Sequence, residues 1–81
     1  MICIIKRKGI LFYNSSIDRI DMRYDDGGTN GGFSCGTTME VESIDGKWIA
    51  TRLEISGHQW YLIGLPEIHD NAEFDGLSAR L

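Results

Sequence analysis

Eighty-one residues support one domain, and a chain of that size buries only about 60–65% of the surface it exposes when unfolded, so its core is small. With 42% hydrophobic, 25% charged and 10% aromatic residues and a single proline, the composition is that of an ordinary folded chain and excludes collagen-like and wholly disordered classes. Twelve acids against eight bases give a net charge of −4, which argues against affinity drawn from the phosphates of duplex DNA or RNA.

Met1-Ile2-Cys3-Ile4-Ile5 is apolar and largely β-branched and is expected to be a strand. Lys6-Arg7-Lys8 follows it, the reverse of the order in a signal peptide, and no run approaches the roughly 20 apolar residues that cross a bilayer. A cytoplasmic chain without a membrane partner is therefore expected. Lys6-Arg7-Lys8-Gly9 is expected to form a charged turn, and Ile10-Leu11-Phe12-Tyr13 a second strand. Asn14-Ser15-Ser16 turns the chain again. Between Ile17 and Tyr24 both periods fit, but Ile20, Met22 and Tyr24 alternate with Asp21 and Arg23 in a segment too short for a self-supporting helix, which favours a strand.

Residues 25–32, Asp-Asp-Gly-Gly-Thr-Asn-Gly-Gly, contain no side chain suited to a core and are expected to form a flexible loop. Thr38–Ser43 alternates, Asp45-Gly46 suits a tight hairpin turn, and Lys47–Ile55 continues as a long strand. Ser56-Gly57-His58-Gln59 turns once more, and Trp60–Gly64 completes an antiparallel meander. A polar, acidic loop at 66–73 precedes Phe74–Leu81, a candidate short closing strand at the sheet edge. The expected fold is all-β: a single domain over 1–81 built as a small antiparallel curled sheet or barrel of six to seven short strands. Period-two alternation assigns Ile49, Leu53 and Ile55 to the core with Val41 and Ile63, and turns Trp48, Arg52 and Glu54 to the other face.

The run Cys35-Gly36, Met39-Glu40-Val41, Asp45-Gly46-Lys47-Trp48-Ile49, Thr51-Arg52-Leu53-Glu54 and Trp60-Tyr61-Leu62-Ile63-Gly64-Leu65 resembles a family of uncharacterised small domains encoded on bacterial phages and integrative elements. The likeness covers roughly Gly9 to Leu65. The long glycine-rich loop before Cys35 and Ala50, where proline is common, depart from the pattern. The resemblance implies a mobile-element protein in the cytoplasm of the host cell, with defence evasion as a common task, and carries no established activity.

Chemistry-bearing motifs are sparse. Gly27–Gly32 has the spacing of a phosphate loop but continues into Phe33-Ser34, without the lysine and hydroxyl that hold outer phosphates and magnesium. His58 and His69 sit in expected turns, no Ser or Cys lies in a nucleophile motif, and Glu67, His69 and Asp70 read more simply as an acidic surface loop than as metal ligands. Cys3 and Cys35 are expected to be free, buried thiols. No enzyme activity, cofactor or metal is expected.

Aromatic residues supply the remaining candidate site: Trp48, Arg52, Trp60, Tyr24 and Phe33 are expected to line a ligand pocket. Bases stack on aromatic rings and an arginine fork holds a phosphate, a pairing that suits a nucleotide. Two readings follow. One is an oligomeric protein, most simply a homo-oligomer, that sequesters a cyclic or modified nucleotide used as an immune signal. The other is an acidic inhibitor that binds a host defence protein, such as a CRISPR nuclease, directly. The plainer alternative makes both tryptophans core residues and pairs Arg52 with Glu54.

Overall fold

Alternating apolar and polar residues fold into six antiparallel strands of one curled, unclosed sheet in the computed structural model, which describes residues 7–68 and 70–81. The strands are β1 (Lys8–Asn14), β2 (Arg19–Tyr24), β3 (Thr38–Glu42), β4 (Trp48–Ser56), β5 (Gln59–Leu62) and β6 (Ser78–Arg80), with a short 3₁₀ turn at Asn71–Phe74. Their order across the sheet is β2-β1-β6-β3-β4-β5. No helix among the described residues is long and apolar enough to cross a membrane. The strand expected at Met1–Ile5, the thiol of Cys3 and His69 lie outside the described residues.

The meander forms as the alternation requires. Gly46 adopts φ +84° in the β3–β4 turn, a left-handed value that glycine accepts without steric cost. The β4–β5 turn sets Ile55 opposite Trp60 and Leu53 opposite Leu62. Val41 and Leu53 are buried and Ile49 and Ile55 pack partly against the core. Ile63 is not a core residue: β5 ends at Leu62, and Ile63, on the opposite parity from Trp60 and Leu62, is exposed.

Three further expectations are corrected. Lys8 and Gly9 belong to β1 rather than to a turn, because they pair with Arg80 and Ala79 of β6. The last strand lies at the centre of the sheet, not at its edge: β6 has only three residues, yet it bonds to β1 on one side and β3 on the other and joins the two halves. The glycine-rich stretch is no loose loop. Asp25-Asp26-Gly27 make a three-residue turn closed by Tyr24 N–H to Gly28 O at 2.8 Å, with Gly27 in the left-handed position such turns use. The chain then runs back along β2, where Asn30 and Phe33 donate to the carbonyls of Met22 and Ile20.

Asp21 anchors that returning segment. Its carboxylate is buried on the outer side of β2 and accepts from Met22 N–H at 2.8 Å, Gly31 N–H at 3.0 Å and Asn14 Nδ2 at 3.4 Å. A charged group removed from water needs such partners. The free side of β5 is covered as well, since Asn71 accepts from Trp60 N–H at 2.9 Å and donates to His58 O at 3.0 Å. Both edge strands are thus occupied by the chain's own loops.

The ends of the curl meet at Asp18, in the β1–β2 turn. Its carboxylate accepts from Tyr13 Oη and lies 3.5 Å from His58 Nδ1, while its carbonyl accepts from Trp60 Nε1 at 3.3 Å. The tyrosine hydrogen bond, opposed in part by desolvation and aided by His58, holds the Asp18 carboxyl below its ordinary range. A carboxylate lowered in the folded state stabilises it above the unfolded pKa of about 4, and that stabilisation is lost as pH falls through the folded value. Melting temperatures of the wild type and Asp18→Asn are therefore expected to differ near neutrality and to converge in acid. Asparagine tolerates the φ of +52° at this position, so a gap independent of pH would mean that the carboxylate charge contributes nothing.

Candidate functional site

Alternation gives the sheet two unlike faces. The inner face carries Leu11, Ile20, Met22, Tyr24, Met39, Val41, Leu53, Trp60, Leu62 and Ala79, closed by Phe33, Leu65 and Phe74 from the connections. The outer face carries Lys8, Ile10 and Phe12 on β1, Arg19 and Arg23 on β2, Arg80 on β6, Glu40 and Glu42 on β3, and Trp48, Ala50, Arg52 and Glu54 on β4. Five of the eight lysines and arginines of the sequence therefore share one face of an acidic protein. Most of the acids lie elsewhere, in the turns and loops at Asp18, Asp25, Asp26, Asp45, Glu67, Asp70, Glu73 and Asp75.

Trp48 is the aromatic centre of the outer face. It is half-buried and leans across β3, with the Arg80 guanidinium 4.1 Å and the Lys8 ammonium 5.6 Å from its ring centroid. A second stack sets Arg23 5.2 Å from the Phe12 ring. Ile10, exposed, lies on β1 between Lys8 and Phe12. From β4 to β1 is three strand spacings, roughly 14 Å along the sheet. Beside Trp48 the small side chain of Ala50 leaves a shallow depression of about 360 Å³ bordered by Thr38, Glu40, Arg80 and Leu81.

Both arginines of this region are held by acids. Arg80 Nε donates to Glu40 Oε1 at 2.9 Å, and Arg52 Nε lies 2.6 Å from Glu54 Oε2. The other oxygen of Glu54 accepts from Cys35 Sγ at 3.1 Å, so Cys35 is an exposed thiol rather than the buried one expected. These pairs fix the guanidinium planes while leaving Arg52 half exposed.

The five residues expected to line one pocket do not assemble. Trp48 and Arg52 share the outer face, four residues apart on β4. Trp60, Tyr24 and Phe33 are core residues. Trp60 faces inward because it pairs with Ile55, Tyr24 because it pairs with Gly9 on the Leu11 side, and Phe33 because the returning segment folds it under β2. Arg80, Lys8 and Phe12 are the partners that sequence reasoning missed. The parity of Lys8, Ile10 and Phe12 against Leu11 is legible in β1 once Lys8 is read as strand, whereas the position of Arg80 depends on a three-residue pairing that leaves no local pattern.

Fold and site together define a small all-β domain whose one open sheet carries a cationic, aromatic outer face. The chain belongs to the family described as a domain of unknown function, DUF5348, which it matches over residues 9–81. It is similar to a protein from Ruminococcus gnavus whose crystal structure covers 93% of this chain and all of that one, with 37% identity and a TM-score of 0.74. No curated protein matches it.

Proposed function

We propose that this domain binds, without transforming it, a nucleotide-like ligand that joins a planar base to a phosphate, on the outer face of its sheet. The observation that carries the reading is the gathering of lysine and arginine around an accessible tryptophan in a chain of net charge −4. Trp48 offers a base a stacking surface worth about 1–3 kcal/mol, and the Ala50 depression beside it has room for a sugar or phosphate. Arg80 borders that depression and Arg52 stands two residues beyond Ala50 on the same face of β4; the acids beside them hold the forks in place for a bidentate phosphate contact. In the mobile-element setting implied by the sequence resemblance, the ligand is a cyclic or modified nucleotide signal in the host cytoplasm, and binding removes it.

A panel of cyclic dinucleotides, cyclic mononucleotides and ADP-ribose derivatives, titrated against tryptophan fluorescence, tests the reading. Trp60 is buried, so quenching reports Trp48. A ligand at 100 times its dissociation constant is expected to add about 2.7 kcal/mol, several degrees of melting temperature. Trp48→Ala is expected to weaken binding by about 1–3 kcal/mol, roughly 5- to 150-fold. Arg52→Ala should weaken it at least as much while changing stability by less than about 1 kcal/mol, because its ion pair is exposed. Absence of any response to the whole panel at about millimolar concentration would refute the proposal. The inhibitor reading draws on the eight acids displayed in the loops and predicts that unresponsive outcome together with a tight complex with a host defence protein.

A further inference from the structure

At the end of the sheet away from the Ala50 depression, an apolar groove of about 470 Å³ opens between the β3–β4 turn and the loops that flank β6. Val41, Leu65, Ile68 and Leu77, with Ile44 at its turn end, line its apolar part, and Glu42 and Glu67 border it. The groove thus suits an aliphatic side chain accompanied by a cation. This chain displays that combination itself. Ile44, at the tip of the hairpin, is 107% exposed relative to a free reference residue, where Ile10, Ile17, Ile63 and Leu81 are 36–44% exposed. Nothing in turn geometry calls for isoleucine there; turns select Gly, Asn, Asp, Ser and Pro.

On the same turn, Asp45 is drawn inward by Ser43 Oγ and by the Lys47 N–H at 3.3 Å, while the Lys47 ammonium is exposed and 3.9 Å from Asp45. An exposed pair of that length is readily exchanged for another acid. We propose that the domain pairs with a second copy of itself by reciprocal insertion: Ile44 of each copy seats in the groove of the other, and Lys47 meets the Glu42 and Glu67 rim. Knob and groove adjoin on one chain, so a single two-fold axis satisfies both at once, as an isologous interface requires. Edge-strand pairing is not the route, because the returning segment covers β2 and Asn71 covers β5.

Sedimentation velocity on the full chain, from about 5 to about 200 µM, tests this with the nucleotide question set aside. The expected result is a concentration-dependent species of twice the 9.1 kDa chain mass. Ile44→Asp should abolish it while leaving the melting curve of the dilute protein unchanged, since the side chain is fully exposed in the single chain. Lys47→Glu or Glu67→Lys alone should weaken pairing at least tenfold, and the two combined should restore it, which a misfolded variant cannot mimic. A monomer at every concentration, or a dimer that survives Ile44→Asp, overturns the proposal.

Discussion

Replacing Phe74 by alanine is expected to lower the unfolding free energy by about 3–5 kcal/mol, against roughly 4–12 kcal/mol for a domain of this length. Phe74 is fully buried although it stands in a short 3₁₀ turn within an acidic stretch. The turn packs on β1 and β5, so its ring closes the concave side of a sheet that has no second layer among the described residues. Its neighbours hold it there: Asp70 caps the turn, Tyr13 N–H donates to Asp75 Oδ1 at 2.8 Å, and Leu11 exchanges backbone bonds with Gly76 and Leu77. Surrounding atoms are fixed by these bonds, so the space left by alanine is not expected to collapse. Equilibrium urea unfolding of Phe74→Ala measures it. A loss below about 1 kcal/mol would mean that the 70–77 segment is not a structural lid.

Because that lid is tied to β1 and leads directly into β6, Phe74→Ala should also loosen the strand that bears Arg80. The ligand face and the core are thus linked through one short piece of chain. Weaker nucleotide binding in this variant, measured on the folded fraction, is the expected signature of that link.

What could be read from residues alone follows from how local the determinants are. Each of β1 to β5 is one arm of a hairpin, and adjacent strands joined by Asp45-Gly46 or Gly57-His58 have their register set within a few residues. The Ile49, Leu53 and Ile55 face was therefore legible, and the same register could have placed Trp60 inside, since it stands directly across from Ile55. Treating aromatic residues as a set, without following each through its turn, is what assigned Trp60, Tyr24 and Phe33 to a pocket. The central position of β6 was not legible. Three residues bonded to strands about 40 and 70 positions away owe their place to the closed core around Ala79, and no periodicity fits in so short a segment. The Gly-rich return along β2 was hidden for a different reason: its backbone bonds and the buried Asp21 carboxylate hold it, and neither leaves an apolar pattern.

Gly9→Ala carries the other large expected effect. Gly9 is a buried strand residue flanked by Tyr24 on β2 and Ala79 on β6, the row where the two halves of the sheet meet. A Cβ added there would stand 2.4 Å from the carbonyl oxygen of Arg23 and 2.7 Å from Met22 Cγ. The methionine can move aside, but the carbonyl belongs to the backbone, so relief requires β1 and β2 to separate. The substitution works against a general trend, because alanine in a strand interior is otherwise favoured over glycine by roughly 0.5–1 kcal/mol through the unfolded state. Net destabilisation of about 1–3 kcal/mol or more is expected, typical of overpacking against a rigid neighbour. Hydrogen exchange should show where it falls: faster exchange at the β1–β2 pairs Ile10–Arg23 and Phe12–Asp21, with the β4–β5 pairs changed only by the global loss. Neutral or improved stability would mean that β1 and β2 do not approach this closely at Gly9.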